Sequence, residues 1–166
     1  MEWDRLAAVK VGVSEVKAVS APRLIRTVGL GSCVGVVVYD PLLKVAAMAH
    51  VMLPDSSLAG KRPYPPGKFA DSAVKEMVAM LEKLGSDGRG LKAKAAGGAE
   101  MFDLAAYGGV SKIGPRNVAA VEDQLARFGI EMTAADVGKN YGRTIEFNPE
   151  SEKLLIRTVN RGIFEI

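Results

Sequence analysis

The chain contains one cysteine, Cys33, and one histidine, His50. A thiol and an imidazole are the pair from which a nucleophile and its general base are made. A free thiol has a pKa near about 8.5 and is only a few per cent thiolate at neutral pH, and an adjacent imidazole can take its proton to give a thiolate–imidazolium pair. Such a pair attacks the acyl carbon of an amide or ester through a tetrahedral oxyanion and a thioester. Ahead of the cysteine stand Thr27-Val28-Gly29-Leu30-Gly31-Ser32. Glycines and a serine directly before a nucleophile suit a tight turn whose backbone N–H groups receive the oxyanion, and Gly31 and Ser32 are the candidates. A lone thiol has a second reading, as an inert buried residue, and a lone histidine on an apolar strand is usually a satisfied core residue.

The elements around the pair bear on that choice. Cys33 to Tyr39 is rich in β-branched residues and reads as a strand. Asp40-Pro41 is a turn signal, and Lys44 to Leu53 reads as the returning strand, closed by Pro54. With Asp40 opposite Leu43, Cys33 stands directly opposite His50, with Cβ atoms about 4.5–5.5 Å apart. A three-residue bulged loop would slip the register by one and put the two on opposite faces.

The rest of the chain supplies the support. Val9, Val11 and Val13 alternate within 6–19, which predicts one or two strands, the first better supported. Ser20-Ala21-Pro22 breaks them, and Arg23 to Val28 is a further short strand. Residues 55–67, rich in proline, glycine and serine, form a surface loop, either a rim over the site or a loop without a role. The apolar spacing of Ala70, Ala73, Val74, Met77, Val78, Leu81 and Leu84 predicts a helix over 68–84, with Gly85 at its C-terminal cap. Leu91 to Ala96 reads as a strand. Gly97 and Gly98 follow, small enough for close backbone approach to the site, though a glycine pair is equally a plain turn.

Gly114-Pro115-Arg116-Asn117 opens a second helix with an apolar stripe at Val118, Val121, Leu125 and Phe128, ended by Gly129. Ile130 to Val137 is a strand, and 144–147 with 154–159 form a closing hairpin around Asn148-Pro149-Glu150-Ser151. Strands and helices do not alternate regularly, so the expectation is α+β, a mixed or antiparallel sheet with two main helices, in a single domain over 1–166.

Composition narrows the function classes. Of 166 residues, 48% are hydrophobic and 25% charged, ordinary for a globular domain with its own core. One cysteine excludes an internal disulfide and, with one histidine, disfavours a metal site, and no resolving cysteine supports a thiol-sensing domain. The net charge of +3 comes from scattered Lys and Arg without an aromatic platform, so nucleic-acid binding has little support. No apolar run is long enough to span a membrane, and the acidic N-terminus is not a signal peptide, so the expected compartment is the cytoplasm. No cofactor is expected.

T-x-G-x-G-S-C over Thr27 to Cys33, followed by H-V-M-L-P over His50 to Pro54, closely resembles the CheD-type chemoreceptor glutamine deamidases of bacterial chemotaxis. The resemblance continues through Gly67-Lys68-Phe69-Ala70-Asp71, through A-G-G-A-x-M-F ending at Phe102, and through I-G-x-R-N ending at Asn117. It implies a two-helix, mixed-sheet sandwich. It also implies conversion of receptor glutamine to glutamate by Cys33 and His50, with the hydroxyl of Thr27 orienting the imidazole. The same machinery would cleave a glutamyl methyl ester. The implied partners are chemoreceptor cytoplasmic helices and a CheC-type phosphatase of the response regulator, the latter an adaptor role that needs no thiol. Arg116 in the last motif binds a carboxylate or lies on the surface, the second being favoured. In one place the pattern departs: the family shows D-x-G-G before G-R, whereas Asp136-Val137-Gly138 is followed here by Lys139.

Overall fold

The computed structural model describes residues 7–101 and 112–166. Phe102 of the A-G-G-A-x-M-F motif, and the first six residues of the N-terminal stretch read as no signal peptide, lie outside them. Among the described residues, ten strands form two five-stranded sheets. Sheet A contains β1 (Val9–Lys10), β3 (Ile25–Leu30), β8 (Arg143–Asn148), β9 (Lys153–Arg157) and β10 (Ile163–Glu165) in that spatial order. Sheet B contains β2 (Val16–Ser20), β5 (Val45–Val51), β4 (Val34–Asp40), β6 (Lys92–Gly97) and β7 (Glu131–Val137). Each sheet is antiparallel except for one parallel edge pair, β1 with β3 and β6 with β7. Two helices, α1 (Ala70–Lys83) and α2 (Ile113–Arg127), cover the face of sheet B that points away from sheet A. The expected α+β sandwich with two main helices is what folds, with layers in the order helices, sheet B, sheet A.

Strand β4 explains the layering. Its seven residues are all buried, because the strand has a layer on each face. Val34, Val36 and Val38 point to the helices, where Ala70, Ala73, Val74, Met77 and Leu81 of α1 meet them with Val121 and Leu125 of α2. Val37 and Tyr39 point the other way, into a second core with Ile25, Leu30, Ile145, Phe147, Leu154 and Ile156 of sheet A. Period-2 alternation therefore sorts one strand between two cores.

The β4–β5 hairpin forms, with a register different from the expected one. Asp40 pairs with Val45 and not Leu43, and Gly35, not Cys33, stands opposite His50. The cause is the chemistry of Asp40. Its carboxylate accepts from the backbone N–H of both Leu42 and Leu43, and its carbonyl accepts from Lys44, which takes a left-handed φ of 57°. The connection thus closes as a four-residue loop. A slip of two residues keeps every side chain on its face, so Cys33 and His50 still share the side of sheet B that faces sheet A.

Three further expectations change. The alternating valines do not make a long strand: β1 stops at Lys10, because Gly12 to Glu15 form a turn in which Ser14 has φ 67° and the Glu15 carboxylate accepts from Gly12 N–H. The better strand is the second one, Val16–Ser20, which pairs along its whole length with β5. The chain after α2 carries four strands and not three, the last being β10 paired to β9. The 55–67 loop starts with a short 3₁₀ turn, Ser56–Ala59, held to the first turn of α1 where the Asp71 carboxylate accepts from Ser56 N–H and Oγ–H.

Candidate active site

Cys33 sits on the crossover between the sheets. Strand β3 ends at Leu30 in sheet A, Gly31-Ser32-Cys33 cross, and β4 begins at Val34 in sheet B. The crossover is gripped from three sides. The carbonyl of Gly31 accepts from Ala99 N–H at 2.9 Å, that of Cys33 from Gly98 N–H at 2.8 Å, and that of Ser32 from the side-chain amide of Asn117 at 3.0 Å. The backbone N–H groups of Gly31, Ser32 and Cys33 donate no hydrogen bond among the described residues. Gly97 and Gly98 are the floor beneath. At Gly97, with φ 111°, a Cβ would run into the carbonyl oxygen of Cys33, and at Gly98, with φ 66°, into Val118 of α2. Close approach, and not only a turn, requires glycine at both. The amide of Gly98 is committed to Cys33, so it seats the nucleophile candidate and is not offered to a ligand.

His50 comes from the opposite strand. It is buried, and Gly35 faces it across the ladder. A Cβ at Gly35 would stand 2.6 Å from Ile145 Cδ1 and 3.0 Å from Leu30 Cδ1. Glycine there lets sheet A close down over the imidazole. Cys33, two residues before Gly35 on the same face, is the diagonal neighbour of His50, a spacing that long and ring side chains bridge.

The third residue arrives from sheet A. Thr27, buried on β3, places Oγ1 2.7 Å from His50 Nδ1 and 2.7 Å from the carbonyl oxygen of Val11. A hydroxyl has one proton. The Val11 carbonyl can only accept, so Thr27 donates to it and accepts from Nδ1–H of His50. The tautomer follows from the network: Nδ1 carries the proton and Nε2 is a bare lone pair. Nε2 is buried and has no hydrogen-bond partner among the described residues. The register shift in β3 between Thr27 and Leu30, with Gly29 at φ 73°, lies directly between this threonine and the crossover.

Burial sets the charge state. Desolvation pushes the thiol of Cys33 up from its ordinary value and the imidazole of His50 down from its own. Both shifts disfavour ions. Burial thus works against a thiolate–imidazolium pair in the resting site. The half-buried Cys33 packs against the core between the sheets.

Sequence reading missed two parts of this neighbourhood. Asn117, read only as part of a helix start, reaches Ser32 and also donates to the carbonyl of Met52, just past His50, at 2.9 Å. Arg143, buried on β8, donates Nε–H to Asp136 at 2.8 Å and Nη1–H to the carbonyls of Gly97, Gly138 and Tyr141. This ion pair occupies the ends of the D-x-G…G-R pattern. Lys139 within it has φ 62°, so the position that glycine fills in the family demands a left-handed backbone. Among the described residues no group of three or more His, Cys, Asp or Glu side chains is arranged to hold a metal ion.

The sequence model of the family described as CheD chemotactic sensory transduction matches residues 52–158. The chain belongs to the CheD family. It is 51% identical over 158 residues to the chemoreceptor glutamine deamidase CheD of Halalkalibacterium halodurans, covering 95% of this chain and 98% of that one. It is 46% identical to that of Bacillus subtilis, covering 98% of each, and 48% identical to that of Thermotoga maritima, covering 92% of each. These CheD alignments run nearly end to end, beyond the span of the family model, which begins after Thr27, Cys33 and His50.

Proposed function

We propose that the chain is a protein-glutamine deamidase that converts glutamine side chains of methyl-accepting chemoreceptors to glutamate, with Cys33 as nucleophile, His50 as general base and Thr27 orienting the imidazole. The observation that carries the roles is the direction of one hydrogen bond. Because Thr27 must donate to Val11, it holds the His50 proton on Nδ1 and leaves Nε2 basic on the face that Cys33 shares.

From a neutral pair the proton moves as attack proceeds. The thiol of Cys33 gives its proton to His50 Nε2 while sulfur bonds to the carbonyl carbon of the glutamine side chain. The oxygen becomes an oxyanion, received by uncommitted N–H groups of Gly31, Ser32 and Cys33; one such donor is typically worth about 2.7–4 kcal/mol. The oxyanion collapses, the C–N bond breaks, and the imidazolium returns its proton to the departing ammonia. Water, deprotonated by His50, attacks the thioester; the C–S bond breaks and the sulfur takes back the proton. No metal or cofactor enters the sequence. A glutamyl methyl ester fits the same steps with methanol as leaving group.

Burial serves this scheme. Nε2 is shielded from bulk water that would compete for the proton, and a neutral thiol is alkylated and oxidised more slowly than a thiolate. The imidazolium formed in the transition state is held by Thr27 Oγ1, a hydroxyl and not a carboxylate, so its stabilisation is weaker than in a Ser-His-Asp site.

The substrate is the cytoplasmic helical region of a chemoreceptor, and the chain works in the cytoplasm, a reducing compartment that suits a lone thiol. A CheC-type phosphatase is a second partner, on the strength of the family resemblance. No helix among the described residues is long and apolar enough to cross a membrane. The deciding experiment co-expresses the chain with a candidate receptor and maps receptor peptides by mass spectrometry. Glutamine-to-glutamate conversion at defined residues, lost with Cys33→Ala, is the expected result; unchanged receptor peptides across the organism's receptors would overturn the reading.

A further inference from the structure

Asn117 is wholly buried near the start of α2, and its side chain makes two hydrogen bonds. Nδ2 donates to the carbonyl of Ser32, the residue before Cys33, and to the carbonyl of Met52, two residues after His50. The orientation of the amide is fixed by these partners: turning it over would set Oδ1 against two carbonyl oxygens. The correct orientation leaves Oδ1 buried without a partner among the described residues. A buried polar atom left unpaired is a standing cost, and an apolar side chain of similar size would not carry it. Packing alone therefore does not account for an asparagine here.

The geometry of the peptide bond says what the first hydrogen bond achieves. The Ser32–Cys33 peptide is trans, since the cis bond of the described chain is Ala21-Pro22. In a trans peptide the C=O and the following N–H point in opposite directions. By pulling the Ser32 carbonyl toward α2, Asn117 turns the N–H of Cys33 away from the helix. That N–H makes no hydrogen bond among the described residues. On the other side of Cys33 the carbonyl is already taken by Gly98, so the peptide before the nucleophile is the one whose orientation remains to be set. Were it to flip, the Ser32 carbonyl oxygen would replace a donor with an acceptor where negative charge develops.

We propose that Asn117 is a positioning residue for the deamidation: it locks the Ser32–Cys33 peptide so that the N–H of Cys33 is presented to the oxyanion, and through Met52 it ties that peptide to the strand that carries His50. The proposal rests on the assignment of Cys33 as nucleophile. It names a role for the asparagine of the I-G-x-R-N stretch that neither helix periodicity nor capping supplies, since the cap position of α2 is Lys112 and makes no side-chain cap bond.

The test separates two reactions of one thiol. Alkylation of Cys33 by iodoacetamide needs the sulfur and its base but forms no oxyanion; deamidation needs all three. In Asn117→Ala, kcat for deamidation of a receptor cytoplasmic fragment should fall about 100-fold with KM little changed, while the alkylation rate of the folded protein stays near wild type. Equal losses in both reactions would mean that Asn117 acts on the thiol and imidazole alone. An unchanged kcat per folded molecule would mean that it only holds the helix. Either result overturns the proposal.

Asn117→Asp keeps the volume and covers the case in which the alanine variant does not fold. A protonated aspartic acid donates to one carbonyl, and an ionised one to neither. Its deamidation rate relative to wild type, read at pH values where near-UV circular dichroism shows both folded, should therefore rise as pH falls; a flat ratio overturns the proposal. Cys33→Ala run in the same assay tests the nucleophile independently, because full deamidation by that variant removes the catalytic assignment whatever Asn117 does.

Discussion

Two of the polar contacts between the sheets end differently. Thr27 on β3 meets His50 on β5, and Arg143 on β8 meets Asp136 on β7. Both bridges are buried on the sheet A side, and each leaves one nitrogen without a partner among the described residues, Nε2 of His50 and Nη2 of Arg143. The unpaired atom is therefore not what marks a site. A guanidinium nitrogen carries hydrogens that it does not surrender in a protein, so its orphan is inert. The imidazole nitrogen carries a lone pair, directed by the hydrogen bond at the far side of the ring, and can accept a proton. The arginine bridge is bound at three backbone carbonyls besides its carboxylate. It fixes the ends of β6, β7 and β8, on which the glycine floor under Cys33 rests.

Removing chemistry from one bridge and charge from the other gives the largest effects. Cys33→Ala should reduce deamidation to background with little change in stability. His50→Ala should cost about 10²–10⁴-fold in kcat, the usual range for a general base. Arg143→Met should act the other way round. It leaves Asp136 without its cation, and breaking a buried pair costs about 3–5 kcal/mol; the lower end applies because the Asp136 side chain keeps 18% exposure. Urea titration followed by tryptophan-independent circular dichroism measures this. A large stability loss in Cys33→Ala, or none in Arg143→Met, would exchange the roles given to the two neighbourhoods.

Thr27→Val tests the direction of the deciding hydrogen bond. Valine keeps the shape and removes both the acceptor for Nδ1–H and the donor to Val11. The imidazole proton is then free to move to Nε2, where it blocks base catalysis. A wrong tautomer costs about 10⁴ in a Ser-His-Asp site, and a hydroxyl partner should be worth less, about 10–100-fold in kcat. Thr27→Ser should restore most of it. Equal rates for Thr27→Val and wild type would remove the tautomer argument.

What the sequence disclosed of this site follows the range of each interaction. Cys33 and His50 stood out by their chemistry, and the hairpin joining them was legible because its turn is local. The register was off by two because the Asp40 carboxylate captures two amides and widens the loop, a side-chain effect that strand propensity does not contain. The faces survived because the slip was even. Thr27 is different. Its ladder partner is Ile145, and its link to His50 exists only once two sheets pack; periodicity along β3 carries no trace of it, and the family resemblance supplied the role. Asn117 was placed on the right helix, yet its targets, Ser32 and Met52, depend on where the crossover lands. The valine alternation over 9–13 promised a strand that the Gly12–Glu15 turn cuts short, leaving Val13 56% exposed.

The pH dependence of the His50 bridge is a smaller effect. A free imidazole becomes charged below about 6.5. Burial lowers that value for His50, so Nε2 stays basic to lower pH, and the acid limb of kcat/KM should lie below 6.5. Burial raises the thiol, so the midpoint of iodoacetamide alkylation should lie above the free value of about 8.5. An alkylation midpoint well below that value would signal a preformed ion pair and a mechanism that starts from thiolate.

The smallest effect belongs to the arginine side. Lys139 lies in the turn between Asp136 and Arg143, at φ 62°. Its carbonyl accepts from Glu100 N–H at 2.9 Å, so the backbone is held in the left-handed region. A side chain with a Cβ pays about 1–2 kcal/mol there. Lys139→Gly removes that strain but gives the unfolded chain more freedom, which offsets about 0.4–1 kcal/mol. The balance favours glycine by about 0.5–1 kcal/mol, read as a higher urea midpoint at unchanged slope. The side chain itself is exposed and makes no hydrogen bond or ion pair among the described residues, so deamidation should be unaffected. A lower midpoint would mean that the stiffness of lysine at this turn, and not its strain, keeps Asp136 against Arg143, and the family's glycine would then need an explanation other than backbone conformation.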